Sequence, residues 1–187
     1  MSDLRDARLA LIPTLAERAV SGHIGRTALM KYMYFLQTVR SVPLGYRFTL
    51  YSYGPFDADV LADLASAEML SGVEAKPVLY PGGYGYEIRP STKAKWLKER
   101  ASKFLKKYRS DLRWVTNEFG DYTSAQLELV STIVYVDREA ASEKEKIELQ
   151  ELARRVSEVK PHFSNARILT YAQRLLDNRL LRAVKRR

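Results

Sequence analysis

Leu4, Leu9, Leu11, Ile12, Leu15 and Ala19 recur near helical spacing and predict a first helix over residues 4–20, with a kink at Pro13. Ser21-Gly22-His23 breaks it. Leu29, Tyr32, Met33, Leu36 and Val39 then share one face of a second helix over 26–40, and Pro43 and Gly45 end that segment. There the period changes to two. Arg47-Phe48-Thr49-Leu50-Tyr51-Ser52-Tyr53 alternates and is rich in aromatic and β-branched residues, which predicts a strand closed by the Gly54-Pro55 turn. Asp57 is suited to cap a third helix over 58–71, which Gly72 closes. Residues 73–80 and 84–89 read as a hairpin about Pro81-Gly82-Gly83. The order helix, helix, strand, helix, hairpin is that of a winged helix-turn-helix.

After Pro90 the pattern is helical throughout. Leu97, Ala101, Phe104, Tyr108, Leu112 and Val115 form an apolar stripe on a long helix over 91–119. Thr123 and Gln126 form a capping box for a helix that is apolar nearly all round, which marks it as the buried centre of this half. Ser142 and Glu145 form a second such box, opening a helix to about Val159, and after Pro161 a last helix spans 165–181. The expected fold is mainly α, of α+β class. A winged helix-turn-helix module with a small β-hairpin wing occupies 1–90. A packed C-terminal helical bundle follows, residues 91–187 forming a basic helical region packed against the module because no flexible linker separates them.

Hydrophobic residues make up 46% of the 187 and charged residues 28%, a composition that permits a real core. No apolar run is long enough for a membrane span, and Met1-Ser2-Asp3-Leu4-Arg5-Asp6 lacks the build of a signal peptide. The absence of cysteine removes disulfides, thiolate metal sites and thiol nucleophiles together. A cytoplasmic setting is the resulting expectation.

Charge changes the picture more. Residues 1–90 hold 9 Lys+Arg against 9 Asp+Glu, whereas residues 91–187 hold 22 against 13, so the whole excess of +9 lies in the second half. Between Lys93 and Arg109 there are eight basic residues and one acid, Glu99. On a continuous helix Lys95, Lys98, Lys106, Arg109 and Arg113 fall on one side, opposite the apolar stripe, as a row able to track a phosphate backbone. Arg179, Arg182, Lys185, Arg186 and Arg187 form a second cluster at the C-terminal end, of which Arg182, Lys185, Arg186 and Arg187 are candidate phosphate contacts.

The third helix carries the opposite charge. Residues 57–72 hold Asp57, Asp59, Asp63 and Glu68 but no Lys, Arg, Asn or Gln, the side chains that mainly read base edges. Such a helix suits a protein partner. Asp59 and Asp63 are expected on its outer face, and Tyr84 and Tyr86, on one side of their strand, as aromatic anchors beside it. Tyr32, Tyr51 and Tyr53 are expected in the core.

The helix Gly25-Arg26-Thr27-Ala28-Leu29-Met30-Lys31-Tyr32-Met33-Tyr34-Phe35-Leu36-Gln37, followed by Phe48-Thr49-Leu50-Tyr51-Ser52-Tyr53-Gly54-Pro55-Phe56, resembles the YwgA-like family of small bacterial proteins and, more distantly, the Panacea (SocA-like) antitoxin domain. The similarity covers about residues 24–72. It implies a winged-helix-like, non-catalytic protein, and Panacea members neutralise toxins by binding them. Here Phe56-Asp57 follows the Gly-Pro where a small aliphatic residue is more usual in Panacea domains, which favours the YwgA-like side.

Little points to catalysis. His23 and His162 stand alone, without metal-ligand spacing, and no phosphate-binding loop is present. No cofactor or metal is expected. The expected function is a non-catalytic binding or adaptor protein of a regulatory, toxin–antitoxin or defence assembly. Its winged-helix half contacts a protein partner, and its basic half is suited to nucleic-acid backbone, without sequence preference. A DNA-binding transcriptional regulator is the alternative. A metal-dependent nuclease built on Asp57, Asp59 and Glu74 is a remote one.

Overall fold

The computed structural model describes residues 2–80 and 83–185. In chain order the elements are α1 (Ser2–Arg18), α2 (Arg26–Thr38), β1 (Thr49–Tyr51), β2 (Gly54–Phe56), α3 (Ala58–Met69), β3 (Val73–Tyr80), β4 (Gly83–Pro90), α4 (Ala94–Arg100), α5 (Ser102–Lys107), α6 (Arg109–Phe119), α7 (Ser124–Ser142), α8 (Leu149–Val159) and α9 (Asn165–Asp177). The protein is mainly helical, with two small two-stranded sheets, β1 beside β2 and β3 beside β4. Among the described residues no helix is long and apolar enough to cross a membrane. The chain divides into two compact units, Met1–Phe48 with Phe56–Tyr122, and Thr49–Pro55 with Thr123–Arg187. The boundary expected near residue 90 therefore falls inside the first unit, where α4, α5 and α6 all pack on α1.

In the first unit α1 is the central element. Ala7 and the run Leu9 to Ala16 are buried, so the helix is enclosed nearly all round by α3, β4, α4, α5 and α6. Phe35 of α2 stacks on Phe119 of α6 with ring centroids 4.1 Å apart, and Trp114 meets Phe119 edge-on at 5.5 Å. β3 and β4 pair antiparallel from Val73 opposite Pro90 to Tyr80 opposite Gly83, as the alternating pattern predicts. Pro81 and Gly82 of the expected turn lie outside the described residues. Ile24, just before α2, bridges to Ile88 and ties α2 to the hairpin.

The single helix expected over 91–119 is three. Ala101, with φ −110° and ψ 21°, and Tyr108, with φ −101° and ψ 18°, leave helical geometry and break it twice. Each short helix thereby keeps contact with α1, which one straight rod of that length would leave. Packing on the core has overridden local helical preference.

The second unit is built on α7, whose Leu127, Leu129, Val130, Ile133, Val134 and Val136 are all buried, with α8 and α9 packed against it and each other. The Thr123–Gln126 capping box forms as expected. The Ser142–Glu145 box does not. Ser142 ends α7, its hydroxyl donating to the Glu139 carbonyl at 2.7 Å, and α8 starts later, after Glu148. The strand expected over 47–53 shortens to Thr49–Tyr51. Tyr51 and Tyr53 are 63% and 76% exposed, so of the three tyrosines assigned to the core only Tyr32 is buried.

Residues 49–55 are held to the C-terminal helices by a buried cation. Lys160, 2% exposed, pairs with Glu128 Oε1 at 2.9 Å and donates to the carbonyls of Tyr51, at 3.2 Å, and Ser52. Gly54 completes the fit. Its φ is +84°, and an added Cβ would lie 3.0 Å from Ser131 Oγ and 3.1 Å from Thr132 Oγ1. The glycine of the Tyr-Gly-Pro motif is thus demanded by both the turn and the close approach to α7. Lys160→Ala would leave the Glu128 carboxylate with only the exposed His162 beside it and two carbonyls without their donor, and unfolding in urea should show a loss of about 3 kcal/mol. Combining Lys160→Met with Glu128→Gln should recover part of that loss, because no uncompensated charge then remains in the core.

Candidate nucleic-acid interface

The basic residues between 93 and 113 sort into two groups by what surrounds them. Lys98 is already bound, its Nζ donating to both oxygens of Glu17 on α1 at 2.6 Å. Arg100 likewise grips Asp6 of α1, at 2.9 and 3.1 Å. Lys98 therefore leaves the expected binding row, because its charge fastens α4 to the core helix. The row is also not one helical stripe, since the breaks at Ala101 and Tyr108 reset the phase between Lys95, Lys106 and the pair Arg109 and Arg113.

What remains is concentrated on α5 and α6. Lys103, Lys106, Arg109 and Arg113 are exposed, and among the described residues none has a carboxylate within 4.0 Å. Lys95 is exposed too, with Glu99 one turn away at 3.9 Å. Lys107 lies 5.2 Å from the Tyr108 ring centroid.

One residue that the sequence pattern passed over belongs to this surface. Arg18, in the last turn of α1, is half-buried, and its Nε has no hydrogen-bond partner among the described residues. Burial, and then the charges of Arg113 and Arg109, hold its guanidinium below the ordinary arginine range. Arg18 thus lies in the field of Arg109 and Arg113, which the neighbouring Glu17 offsets in part. Arg18 stands 91 positions before Arg109, so only the packing of α1 on α6 reveals the group.

At the C-terminal end, Arg182 and Lys185 are exposed and line one cleft, and Lys185 pairs with Glu148 at 3.1 Å. Arg186 and Arg187 lie outside the described residues.

The acidic face assigned to α3 is corrected. Asp59 is exposed, as expected, but Asp63 is 5% exposed and points into the first unit's core. Its Oδ2 accepts from Arg8 Nε at 2.6 Å and from the Tyr46 hydroxyl at 2.8 Å. Burial raises the Tyr46 phenol, and Asp63 raises it further. For Arg8, burial alone would lower the pKa, but the bond to Asp63 and the nearby charges turn the shift upward. The signal was present in the sequence. Asp63 falls at the core spacing of Val60, Leu64 and Ala67, all buried, and so is a carboxylate in a core position. On the hairpin, Tyr84 is 84% exposed beside its cross-strand partner Leu79, itself 70% exposed. Tyr86 is half-covered, with the Arg26 guanidinium 3.3 Å from its ring centroid.

The histidines and the acids of the remote nuclease set are each engaged locally. His23 lies 3.4 Å from Glu87, and His162 lies 3.3 Å from Glu128. Asp57 caps α3 through Asp59 N at 2.8 Å and also accepts from Arg47 N, while Glu74 pairs with Lys76 at 3.1 Å. Compared with protein-family models and with curated proteins, the chain matches none.

Asp63→Ala should cost about 3 kcal/mol in denaturant unfolding, because it leaves Arg8 and the Tyr46 hydroxyl without their shared acceptor. Asp59→Ala, at an exposed position in the first turn of α3, should cost under about 1 kcal/mol. Equal losses at the two positions would show that Asp63 is not the structural acid.

Proposed function

We propose that this chain is a non-catalytic binding protein that engages nucleic-acid backbone through the surface of α5 and α6. The observation that carries the proposal is the unneutralised group Lys103, Lys106, Arg109 and Arg113, backed by the half-buried Arg18. Cations beside it that do have carboxylates, Lys98 and Arg100, fasten the fold instead. A surface of this kind reads charge density and not base sequence.

The first unit is proposed to be a winged-helix module, with β3 and β4 as the wing and α3 in the recognition position. Support comes from the element order and from the Ile24–Ile88 bridge joining α2 to the hairpin. In this reading α3 does not enter a groove, because its exposed Asp59 faces phosphate unfavourably and it offers no base-reading side chain. The similarity of residues 24–72 to YwgA-like proteins agrees with a binding role in a bacterial regulatory, toxin–antitoxin or defence assembly. A second reading, contact with a protein partner through the wing, is favoured by one observation, the exposed Leu79 and Tyr84 side by side.

Duplex DNA of unrelated sequences should bind with similar affinity. If about four phosphates are engaged, the log–log salt slope should be roughly −3.6. Lys106→Glu, Arg109→Glu and Arg113→Glu together should weaken every sequence alike and flatten that slope. Lys98→Ala should leave affinity within about twofold, since its charge is already taken by Glu17. Binding that survives the triple reversal, or that depends on one sequence, would remove this surface from the mechanism.

A further inference from the structure

The segment that follows α9 is basic, yet it is tied down along its length. Arg138 Nη2 donates to the Leu180 carbonyl at 2.9 Å. The carboxylate of Asp137, fully buried, accepts the backbone N–H of Arg182 at 2.8 Å and that of Ala183 at 2.8 Å, and pairs with Arg138. Lys146 Nζ donates to the Arg182 carbonyl at 3.0 Å. Ile147 N donates to the Ala183 carbonyl at 3.1 Å, and Lys185 N to the Ile147 carbonyl at 3.0 Å. A solvated basic tail needs none of these restraints.

What they hold in place is the wall of a cleft of about 650 Å³, lined by Lys146, Arg179, Leu181, Arg182, Val184 and Lys185. Four of the six lining residues are cationic and none is acidic. Lys185 has Glu148 at 3.1 Å, but among the described residues Arg179 and Arg182 have no carboxylate within 4.0 Å. A further acid, Asp177, lines the adjoining hollow and accepts from Gln173 at 2.8 Å. The backbone at the end of α9 sets where Arg179 lies. This residue sits just past the C-cap of α9 at φ +59°, where the N–H groups of Arg179 and Leu180 close the helix on Leu176 and Leu175. That position ordinarily falls to Gly or Asn. Ser71 and Lys144 hold the same left-handed position after α3 and α7, so it is this chain's usual helix stop, and at the end of α9 it leaves Arg179 lining the cleft.

We propose that this cleft binds a compact polyphosphate, the linked phosphates of a di- or triphosphate. Guanidinium groups match phosphate oxygens two at a time, and the two unpaired arginines, with Lys146 and Lys185 at the rim, supply the charge that linked phosphates carry. The lining offers only Leu181 and Val184 besides its cations and no aromatic ring, so recognition rests on the phosphates and not on a base. This site lies in the second unit and does not depend on the α5–α6 surface.

Calorimetry on the full chain with inorganic triphosphate and with a nucleoside triphosphate tests it, with short duplex DNA as a third ligand. Both triphosphates should bind, with affinities within a few fold of each other. Arg179→Asn with Arg182→Gln should weaken both at least tenfold at an unchanged melting temperature; Asn suits the left-handed backbone, and Gln keeps the backbone N–H that Asp137 needs. Lys106→Glu should leave triphosphate binding intact while reducing DNA binding, which separates this site from the one proposed above. Asp137→Asn should also weaken triphosphate binding although it raises the net charge by one, because the wall loses its anchor. Simple charge attraction would strengthen it instead. If that variant does not fold, the arginine pair decides alone. Failure of both triphosphates to bind, binding of DNA only, or undiminished binding by the arginine variant would overturn the proposal.

Discussion

An ammonium group taken almost wholly out of water needs compensation from every side, and the second unit is arranged around one. Lys160 finds a carboxylate on α7 and two carbonyls on residues 51 and 52. Without those partners its desolvation would cost several kcal/mol. The requirement explains why seven residues from the first third of the chain, 49–55, belong with helices that begin only at Ser124. It also explains the glycine at 54, since a short segment lying against Ser131 and Thr132 has no room for a side chain where the backbone turns left-handed. The Tyr53-Gly54-Pro55 motif thus has a structural use.

The first unit solves the same problem in a different way. Asp63 occupies a core position of α3 and is compensated by Arg8 from α1 and by the Tyr46 hydroxyl. Arg8 also lies 4.3 Å over the Tyr46 ring, so one arginine serves both partners. Buried ionic groups of this type contribute more to a unique arrangement than to net stability, because their attraction is largely offset by desolvation. In both units they fix which segments of chain are neighbours.

Whether a surface cation can serve a ligand depends on what already neutralises it. The first unit holds 18 Lys+Arg against 13 Asp+Glu and the second 13 against 9, so the excess that lies beyond residue 90 in sequence is shared between two surfaces in space. On each, some cations are spent on the protein itself, as Lys98 is on Glu17 and Lys146 partly on a carbonyl. The remainder gather where packing brings separate segments together, Arg18 with Arg109 and Arg113, and Arg179 with Arg182. Both proposed anion sites are products of that sorting.

The sequence by itself determined the helical character, the places of most elements, the hairpin, the capping box at Thr123 and the buried centre at α7. Those depend on hydrophobic period and on side chains that act within one turn, which are local properties. It also marked the basic stretch and the acidic third helix. Only the tertiary structure decided which charges are internal. The i, i+4 relation of Asp63 to Asp59 points to a shared outer face, and no sequence rule supplies the arginine on α1 that lets the Asp63 carboxylate turn inward. The long helix over 91–119 broke because staying on α1 is worth more than staying straight, which periodicity cannot express. Arg18 comes beside Arg109 and Arg113 only through the packing of α1 on α6, and a charge count along a sequence is blind to that.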